Sequence, residues 1–428
     1  PMKFIHAADI HLDSPLVGLS AYPDAPAERL RTATREAFER LVARAIEEQV
    51  DFMVIAGDLY DGDWKDYHTG LFFVRQMGRL RQAGITVYLL YGNHDAESEV
   101  TRSLQLPDNV QVFPARRAET FRIAALQVAL HGQSFKHAAT TDNLVPGYPA
   151  PVPGWLNIGV LHTALEGNAQ HASYAPCSQA ELHAKGYQYW ALGHVHAHWV
   201  EQGDVTIAYP GNLQGRHIRE TGAHGALLVT AEGTQITRID RLEVDVLRWH
   251  LLEIDASQAD DLPDALRLVG QALDQLLRQE PAHMVLAVRV RFAGASGAHA
   301  ALLRSDQQLR HEVIAQAVAL NPERLWIEKV NTDTQPLQLA QAPASGAAAN
   351  AFAELQDLAR TAPQDESFAQ ALQASWQAVL EKLPHEVLAQ APELAALRQQ
   401  PEEALAAQLQ DALTLLGART GAAADADR

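Results

Sequence analysis

The chain contains only one cysteine, Cys177, among its 428 residues, and therefore cannot form an internal disulfide. Such sparing use of cysteine favours a reducing compartment. The sequence also lacks any stretch near the roughly 18 uninterrupted apolar residues of a membrane-spanning helix, and its start shows no signal-peptide pattern. We therefore expect a cytoplasmic protein without membrane association.

Basic residues are scarce as well. The chain has 34 Lys and Arg against 52 Asp and Glu, which gives a formal net charge of −18. Taken alone, this balance argues against a nucleic-acid partner, since a phosphate backbone attracts positively charged surfaces. The acidic excess is larger beyond residue 240 than before it. A phosphodiester substrate remains compatible with the first part of the chain if bound cations supply local positive charge.

Strand and helix patterns alternate in the first part of the chain. Apolar runs that end in polar residues alternate with segments that carry apolar positions at helical spacing: 3–10, 26–49, 52–56, 66–83 and 85–91. This alternation predicts an α/β domain in which helices flank a largely buried sheet. We place the end of this domain at residue 243, after a closing hairpin predicted between residues 226 and 239.

Two further regions follow the α/β domain of residues 1–243. Residues 244–335 have their own strand–helix–strand–helix–strand order, which predicts a small α+β accessory domain. Residues 336–428 are rich in Ala, Gln and Leu. Their pattern predicts amphipathic helices broken by prolines, followed by a disordered end. Such helices could dock a partner protein or pack on the chain's own domains, and the sequence leaves both readings open.

Side chains of the kinds that bind metal ions follow several of the predicted strands. They are Asp9, His11, Asp58, Asn93, His94, His162, His194 and His196. Any one of them has an ordinary explanation, since a lone histidine is more often a core or capping residue and an aspartate often caps a helix. Here, however, five separate segments present such residues at the carboxyl edge of a sheet. Open α/β sheets bind their ligands at this edge, so the pattern favours one shared site.

The motifs around these residues resemble the signature of the calcineurin-like metallophosphoesterase superfamily. That signature runs Asp-x-His, Gly-Asp, Gly-Asn-His-Asp/Glu, His and Gly-His-x-His. Its elements occur here in order as Asp9-Ile10-His11, Gly57-Asp58, Gly92-Asn93-His94-Asp95, His162 and Gly193-His194-Val195-His196. The flanking segments 8–15 and 209–220 are similar to those of SbcD-type DNA repair exonucleases and, among these, to the YhaO-like branch.

The resemblance implies a β-sandwich flanked by helices, an αββα arrangement, with residues 244–335 as a capping domain. It also implies two divalent metal ions, usually Mn²⁺ in this family, although mixed oxygen and imidazole ligands also suit Fe or Zn²⁺. The ligands would form two sets that share Asp58 through its two oxygens: Asp9, His11, Asp58 and His196 in one, Asp58, Asn93, His162 and His194 in the other. Two such ions, about 3.5–4 Å apart, clamp a phosphoryl group and activate the attacking water.

The resemblance places His94 on the leaving-group side, where it would stabilise or protonate the departing 3′-oxygen rather than bind metal. The chain departs from archaeal and eukaryotic relatives at Asp61, because those relatives carry a histidine three residues after the bridging aspartate. A carboxylate beside His94 would stabilise a positively charged ring, the form that a general acid needs. Asp95 is either a turn residue or a residue that orients the site, and the sequence favours neither.

Candidate substrate contacts follow a Pro-Gly turn that should lie near the metals. They are Arg216, His217 and Arg219. The arginines could clamp a phosphate through the bidentate fork of the guanidinium, or form a salt-bridged surface loop with Glu220. We predict substrate contact. His131, Gly132 and Gln133 are further candidates for lining the same pocket.

Three functional hypotheses follow. The first is a Mn²⁺-dependent DNA exonuclease for DNA repair, with an SbcC-like coiled-coil ATPase docked on the C-terminal helices; dimerisation is common among such relatives. The second keeps the metals but assigns a small-molecule or cyclic-nucleotide phosphodiesterase, which the acidic charge favours. The third is a metal-bound scaffold subunit without catalysis, which the intact ligand set and His94 disfavour.

Overall fold

The structure is a computed structural model. It describes residues 1–16, 27–61, 67–97, 104–166, 174–337, 354–355, 357–358, 361–382, 409 and 412. Its contacts divide into two units. The first comprises Pro1–Leu251, Pro281–Val288 and Glu323–Glu328, and the second Leu252–Glu280, Arg289–Pro322 and Lys329–Arg428. The domain boundaries at residues 243 and 335 stay predictions.

The first unit contains two six-stranded sheets. Its described strands are β1 (Met2–Ala7), β2 (Phe52–Ala56), β3 (Thr86–Leu90), β4 (Val110–Val112), β5 (Glu119–Ile123), β6 (Val128–Gly132), β7 (Leu156–His162), β8 (Tyr189–Gly193), β9 (Trp199–Glu201), β10 (Thr206–Tyr209), β11 (Gly225–Glu232) and β12 (Gln235–Glu243). Its described helices are α1 (Ala27–Glu47), α2 (Tyr67–Gln82), α3 (Asn93–Glu97) and α4 (Gln179–Ala184). One sheet has the order β12-β11-β1-β2-β3-β4, and the other has the order β5-β6-β7-β8-β10-β9.

Parallel pairing brings the carboxyl ends of the central strands to one edge of each sheet. In the first sheet, β1 pairs with β2 and β2 with β3, all in parallel. In the second sheet, β6, β7, β8 and β10 are parallel neighbours. The central strands are covered on both faces, which explains why their sequences are continuous apolar runs. All five residues of β2, for example, are buried. The predicted closing hairpin is β11 and β12, which pair antiparallel.

Alternating side chains of the first sheet pack on opposite layers, as the two-residue period of a strand requires. Ile5 and Met53 face the helices and pack with Phe38 of α1 and other apolar residues. Phe4 and Phe52 face the second sheet, where their rings stack with centroids 4.9 Å apart. A third cluster, which includes Leu182 of α4, covers the outer face of the second sheet. These four layers confirm the predicted helix-flanked β-sandwich.

One polar side chain, His6, links the two sheets inside this apolar interface. Its Nε2–H donates to the Leu192 carbonyl at 3.0 Å, and its Nδ1 accepts from the Tyr189 hydroxyl at 2.8 Å. Because the ring is fully buried, desolvation lowers the pKa of His6 to about 3. The folded protein therefore holds a neutral imidazole here.

The remaining described elements include a third, three-stranded sheet. They are β13 (Leu247–Asp255), α5 (Leu262–Gln279), β14 (Val285–Ser296), α6 (His299–Leu303), α7 (Asp306–Leu320), β15 (Leu325–Pro336) and α8 (Glu366–Leu380). The sheet order is β13-β14-β15. Within the second unit, Asp261 caps α5 by accepting from the Asp264 amide, and Val269 and Leu273 lie on the buried face of this helix.

In the C-terminal region, α8 and the described positions 354–355, 357–358, 361, 409 and 412 are helical. Most of the other helices predicted there, and the disordered end predicted for residues 422–428, lie outside the described residues. Among the described helices, none combines the length and apolar character needed to cross a membrane.

Candidate metal centre

The candidate ligands lie where strands of the two sheets end. Asp9 and His11 follow β1, Asp58 follows β2, and the Asp9 amide donates to the Gly57 carbonyl at 3.0 Å. His162 is the last residue of β7, and its Nδ1–H donates to the carbonyl of Ala56 at the end of β2, at 2.9 Å. The first bond joins strand ends within one sheet, as the parallel pairing predicts, and the second brings the strand ends of the two sheets together.

The backbone at this edge adopts conformations that side-chain-bearing residues rarely take. Asp9, His11, Asp58 and His194 have φ angles of 51°, 46°, 54° and 101°. Positive φ values occur in only a few per cent of residues other than glycine and collect at functional sites, where the surrounding structure holds the strain. Hydrogen bonds supply that support here, because the Asp58 carbonyl accepts from His11 at 3.0 Å and the Asp9 carboxylate accepts from the His194 amide at 3.0 Å.

One cluster consists of Asp9, His11 and His196, whose ligand atoms all lie within 4.8 Å of one another. The Nε2 atoms of His11 and His196 are 3.2 Å apart, and His196 Nε2 is 3.9 Å from Asp9 Oδ1. Asp9 and His11 are each only 1% exposed. Burial raises the pKa of Asp9, although the neighbouring imidazoles oppose this effect, whereas burial and the nearby Arg216 lower the pKa of His11 to about 3.

A second cluster consists of Asp58, His162 and His194, again with ligand atoms within 4.8 Å. His162 Nε2 lies 3.3 Å from Asp58 Oδ2 and 2.9 Å from Asn93 Oδ1. Burial of the His162 ring favours its neutral form, but the Asp58 charge outweighs burial and raises the pKa of His162 to about 9. The Asn93 side chain thus lies beside this cluster, and its role as a ligand stays a prediction.

Asp58 lies between the two clusters. Its Oδ2 atom is 3.3 Å from His162 Nε2 and 4.0 Å from His11 Nε2, while Oδ1 accepts a hydrogen bond from the His94 amide at 3.1 Å. Burial alone would raise the pKa of Asp58, but the surrounding histidines lower it well below its usual range. Oδ2 is therefore an oxygen that lies near histidines of both clusters.

The donor atoms fit two divalent cations. They are carboxylate and amide oxygens and imidazole nitrogens, a mixture that suits Mn²⁺, Fe and Zn²⁺. Two ligands held roughly 2.0–2.2 Å from one ion lie roughly 3 Å apart, close to the 3.2 Å and 3.3 Å separations of the neighbouring donors. His162 Nε2 faces two oxygens while its Nδ1–H is already donated, so a proton or a cation must occupy the space between them.

Gly57 is required by this packing. Its φ of +96° belongs to the left-handed region, and a Cβ at this position would overlap the His162 ring. The Gly-Asp motif therefore has two roles. The glycine leaves room for the His162 ring where β2 ends, and the aspartate places its side chain between both clusters.

His94 and Asp61 lie beside the first cluster on its more exposed side. The His94 side chain is 39% exposed, and its Nδ1 is 3.6 Å from Asp61 Oδ1. Asp61 Oδ1 is also 3.4 Å from His11 Nδ1 and 3.6 Å from Arg216 Nη1. Burial opposes ionisation of Asp61, but contact with His11 and the charge of Arg216 hold its pKa well below the usual range.

Asp95 is 1% exposed and accepts hydrogen bonds from two loops. Its Oδ1 accepts from the Tyr60 amide and its Oδ2 from the Gly92 amide, both at 2.9 Å. Burial and the charge of Asp58 raise the pKa of Asp95 to about 7. Of the two roles left open by the sequence, this geometry favours the orienting one, because the carboxylate joins the loops after β2 and β3.

The three predicted substrate residues are placed differently from one another. Arg216 reaches the cluster, since its Nη1 donates to Ser14 Oγ at 3.0 Å and lies 3.6 Å from Asp61. His217 Nε2 lies 3.6 Å from Glu220 Oε1, and burial lowers the pKa of this histidine. Arg219 is exposed, and among the described residues no hydrogen bond or ion pair joins it to the cluster.

Several side chains that contact the candidate ligands were not predicted from the sequence. The Phe135 ring meets His162 edge-on at 5.5 Å, and the Tyr174 ring meets His194 in the same way at 5.5 Å. Glu220 bonds His196 at 2.7 Å, although the sequence offered it only as a surface partner of the arginines. The expectation that His131 lines the pocket is wrong, because it is fully buried, bonds Asn157 and stacks on Tyr187.

Comparison with known proteins agrees with this geometry. A family model described as calcineurin-like phosphoesterase matches residues 2–198, and one described as the middle domain of metallophosphoesterase YhaO matches residues 249–335. The uncharacterized metallophosphoesterase YhaO of Bacillus subtilis (strain 168) is 33% identical over 282 residues, which cover 65% of this chain and 69% of that protein.

More distant relatives are DNA double-strand break repair proteins named Mre11. That of Methanopyrus kandleri is 26% identical over 57% of this chain, and that of Sulfurisphaera tokodaii is 23% identical over 59%. The chain spans 57% and 66% of the lengths of these two proteins. With two candidate metal clusters at the strand ends of a helix-flanked β-sandwich, the chain belongs to the calcineurin-like metallophosphoesterases, in their YhaO-like branch, and is a metal-dependent phosphoesterase.

Proposed function

We propose that the protein is a Mn²⁺-dependent DNA phosphodiesterase, an exonuclease of the SbcD/YhaO type that acts in DNA repair. The observation that carries this proposal is the position of Asp58 Oδ2 between two ligand clusters, with His94 and Arg216 both close to Asp61 beside the first cluster. That arrangement is what phosphodiester hydrolysis by two metals needs: two adjacent cations, a side chain that can donate a proton and a cation that can hold phosphate.

Two sets of residues would hold the metals, each with the bridging Asp58. One set is Asp9, His11 and His196, and the other is Asn93, His162 and His194. When bound, two such ions withdraw charge from a phosphoryl group and supply a nucleophile at neutral pH. Mn²⁺ is proposed because the carboxylate oxygens in each set, and the Asn93 amide oxygen in the second, are harder ligands than zinc sites usually favour.

The residues beside the clusters would handle the substrate. His94 is exposed enough to reach a bound ester, and Asp61 lies near its Nδ1, so we propose that His94 donates a proton to the departing oxygen while Asp61 orients the ring. Arg216 would bind a non-bridging phosphate oxygen. His217 and Arg219 would contact DNA further along the strand, and Asp95 would hold the catalytic loops in position.

DNA as the substrate is supported by the Mre11 relatives, which are named for double-strand break repair. We further propose that residues 244–335 form a capping domain that helps select DNA, and that residues 336–428 dock an SbcC-like coiled-coil ATPase. A homodimer and a cytoplasmic location complete the proposal.

A second candidate is a small-molecule or cyclic-nucleotide phosphodiesterase, which the net charge of −18 favours. The full chain should therefore be assayed with Mn²⁺ on linear duplex DNA, single-stranded DNA and bis-p-nitrophenyl phosphate. Release of nucleotides from DNA ends is the expected result. Hydrolysis of the small ester with both DNAs intact would contradict the DNA proposal and support the second candidate. Two bound metals with no cleavage of any substrate would instead indicate a scaffold role.

A further inference from the structure

Glu220 joins the metal ligand His196 to the loop that carries Arg216. Its side chain is only 9% exposed, and its Oε1 accepts from His196 Nδ1 at 2.7 Å. Its Oε2 accepts from the Arg216 amide at 2.7 Å and from Asn212 Nδ2 at 2.8 Å. Both oxygens of one buried carboxylate are therefore used, one toward the metal cluster and one toward the loop.

The bond to Oε1 decides which nitrogen of His196 can bind a metal. A carboxylate oxygen accepts the Nδ1 proton, so Nε2 is the nitrogen left to serve as a ligand. This nitrogen points into the first cluster, 3.2 Å from His11 Nε2. A carboxylate behind a ligating histidine also fixes the ring orientation and makes the ligand more basic.

The bonds to Oε2 fix the main chain at Arg216 and the side chain of Asn212. The Arg216 guanidinium is 3.9 Å from the same carboxylate and extends past it to Ser14 and Asp61. A change at Glu220 would therefore alter both the direction of Arg216 and the orientation of His196.

We propose that Glu220 is a positioning residue that selects Nε2 of His196 as the metal ligand and, with its second oxygen, sets the position of the phosphate-binding Arg216. It touches neither the metals nor the substrate. This inference rests on the proposed two-metal centre but not on DNA as the substrate.

The loop has independent supports, so variants at Glu220 should fold. Gln214 Nε2 donates to the Leu247 carbonyl at 2.7 Å, and Trp249 Nε1 donates to the Gly215 carbonyl at 2.9 Å. Glu220→Gln keeps the size of the side chain but has one acceptor oxygen for three donors, and therefore loses either the His196 bond or the loop bonds. Glu220→Ala removes all of them.

A matched control is Asn157→Ala. Asn157 is 2% exposed and, like Glu220, links several groups in the first unit: its Oδ1 accepts from His131 Nε2 at 2.9 Å and from the Val152 amide at 2.7 Å. The control should lower the melting temperature through lost hydrogen bonds without changing metal affinity.

The experiment measures Mn²⁺ binding to the full chain by calorimetry, the melting temperature in EDTA, and the kinetics of bis-p-nitrophenyl phosphate hydrolysis. In Glu220→Ala we expect one of two Mn²⁺ sites to weaken by roughly 10- to 100-fold, the cost typical of losing a group behind a metal-bound histidine. The KM for the ester should also rise in this variant, because Arg216 is displaced. Glu220→Gln keeps either the His196 bond or the loop bonds and should show at least one of the two changes. Asn157→Ala should keep both sites and the KM.

Wild-type Mn²⁺ affinity at both sites together with a wild-type KM in Glu220→Gln would overturn the inference, as would an equal weakening in Asn157→Ala. If Glu220→Ala fails to fold, Glu220→Gln decides the question alone. A wild-type chain that binds two Mn²⁺ and leaves DNA intact would refute the DNA proposal while this inference stands. A wild-type chain that binds no Mn²⁺ would refute both.

Discussion

Replacing His94 with alanine separates proton donation from metal binding. The ring is 39% exposed and its Nδ1 is 3.6 Å from Asp61, whereas the contact of this residue with Asp58 is made by its main-chain N–H, at 3.1 Å. The substitution removes the ring and keeps the main-chain bond. Both metal sites should therefore survive in the variant.

The expected loss of rate follows from the role of the ring. A positioned general acid contributes roughly 10²- to 10⁴-fold, which corresponds to about 2.7–5.5 kcal/mol in the barrier. Because the ring is partly exposed and fills no core space, the free energy of unfolding should change by about 0.5 kcal/mol or less. A p-nitrophenolate leaving group needs no proton, so hydrolysis of bis-p-nitrophenyl phosphate should lose much less rate than DNA cleavage.

The assay compares kcat on both substrates with Mn²⁺ stoichiometry from elemental analysis. His137→Ala, which removes another exposed histidine, serves as the control and should match the wild type on every measure. Loss of a metal ion in His94→Ala would refute the assignment of this residue as a non-ligand. Equal loss of rate on the two substrates would refute its role as the acid.

Three further predictions address the centre and the core. Asp58→Ala should reduce bound Mn²⁺ from two ions toward none, because its Oδ2 faces both clusters; retention of one tightly bound ion by elemental analysis would contradict a bridging role. Gly57→Ala should cost more than about 1 kcal/mol in urea unfolding and weaken metal binding, since φ is positive and the Cβ would overlap His162. A stable variant with full metal content would show that the loop can adjust. His6 has a pKa lowered to about 3 by burial, so its contribution to stability is fully present above its unfolded pKa near 6.5 and is lost as the pH falls toward 3, by a total of about 5 kcal/mol. His6→Gln, which can keep a donor and an acceptor, should flatten this part of the pH dependence of unfolding in EDTA; an unchanged slope would show that other groups cause it.

Much of the fold and of the candidate site could be predicted because their signals are local. The strand over residues 52–56 is a short apolar run followed by Gly57 and Asp58, and parallel pairing then places Asp58 at the same edge as the residues that follow β1 and β3. The predicted helices at 26–49 and 66–83 agree with α1 (Ala27–Glu47) and α2 (Tyr67–Gln82) to within a few residues.

Pairings between distant residues could not be predicted in this way. Arg216 donates to Ser14, which lies 202 positions earlier, and Asp95 accepts from Tyr60, which lies 35 positions earlier. The sequence pattern around a carboxylate in a polar loop is the same whether the side chain is exposed or buried. The sequence therefore contains no signal that Glu220 supports His196.

The sequence by itself determined which residues end up at the strand ends, because strand period, buried apolar runs and turn residues act within a few positions of one another. It also determined the chemistry of the candidate ligands, since the motifs specify oxygen and imidazole donors. Only the tertiary structure decided which oxygen of Asp58 faces both clusters and which nitrogen of His162 faces Asn93. Those choices depend on hydrogen bonds between strands of different sheets, and such bonds exist only once the two sheets have packed together.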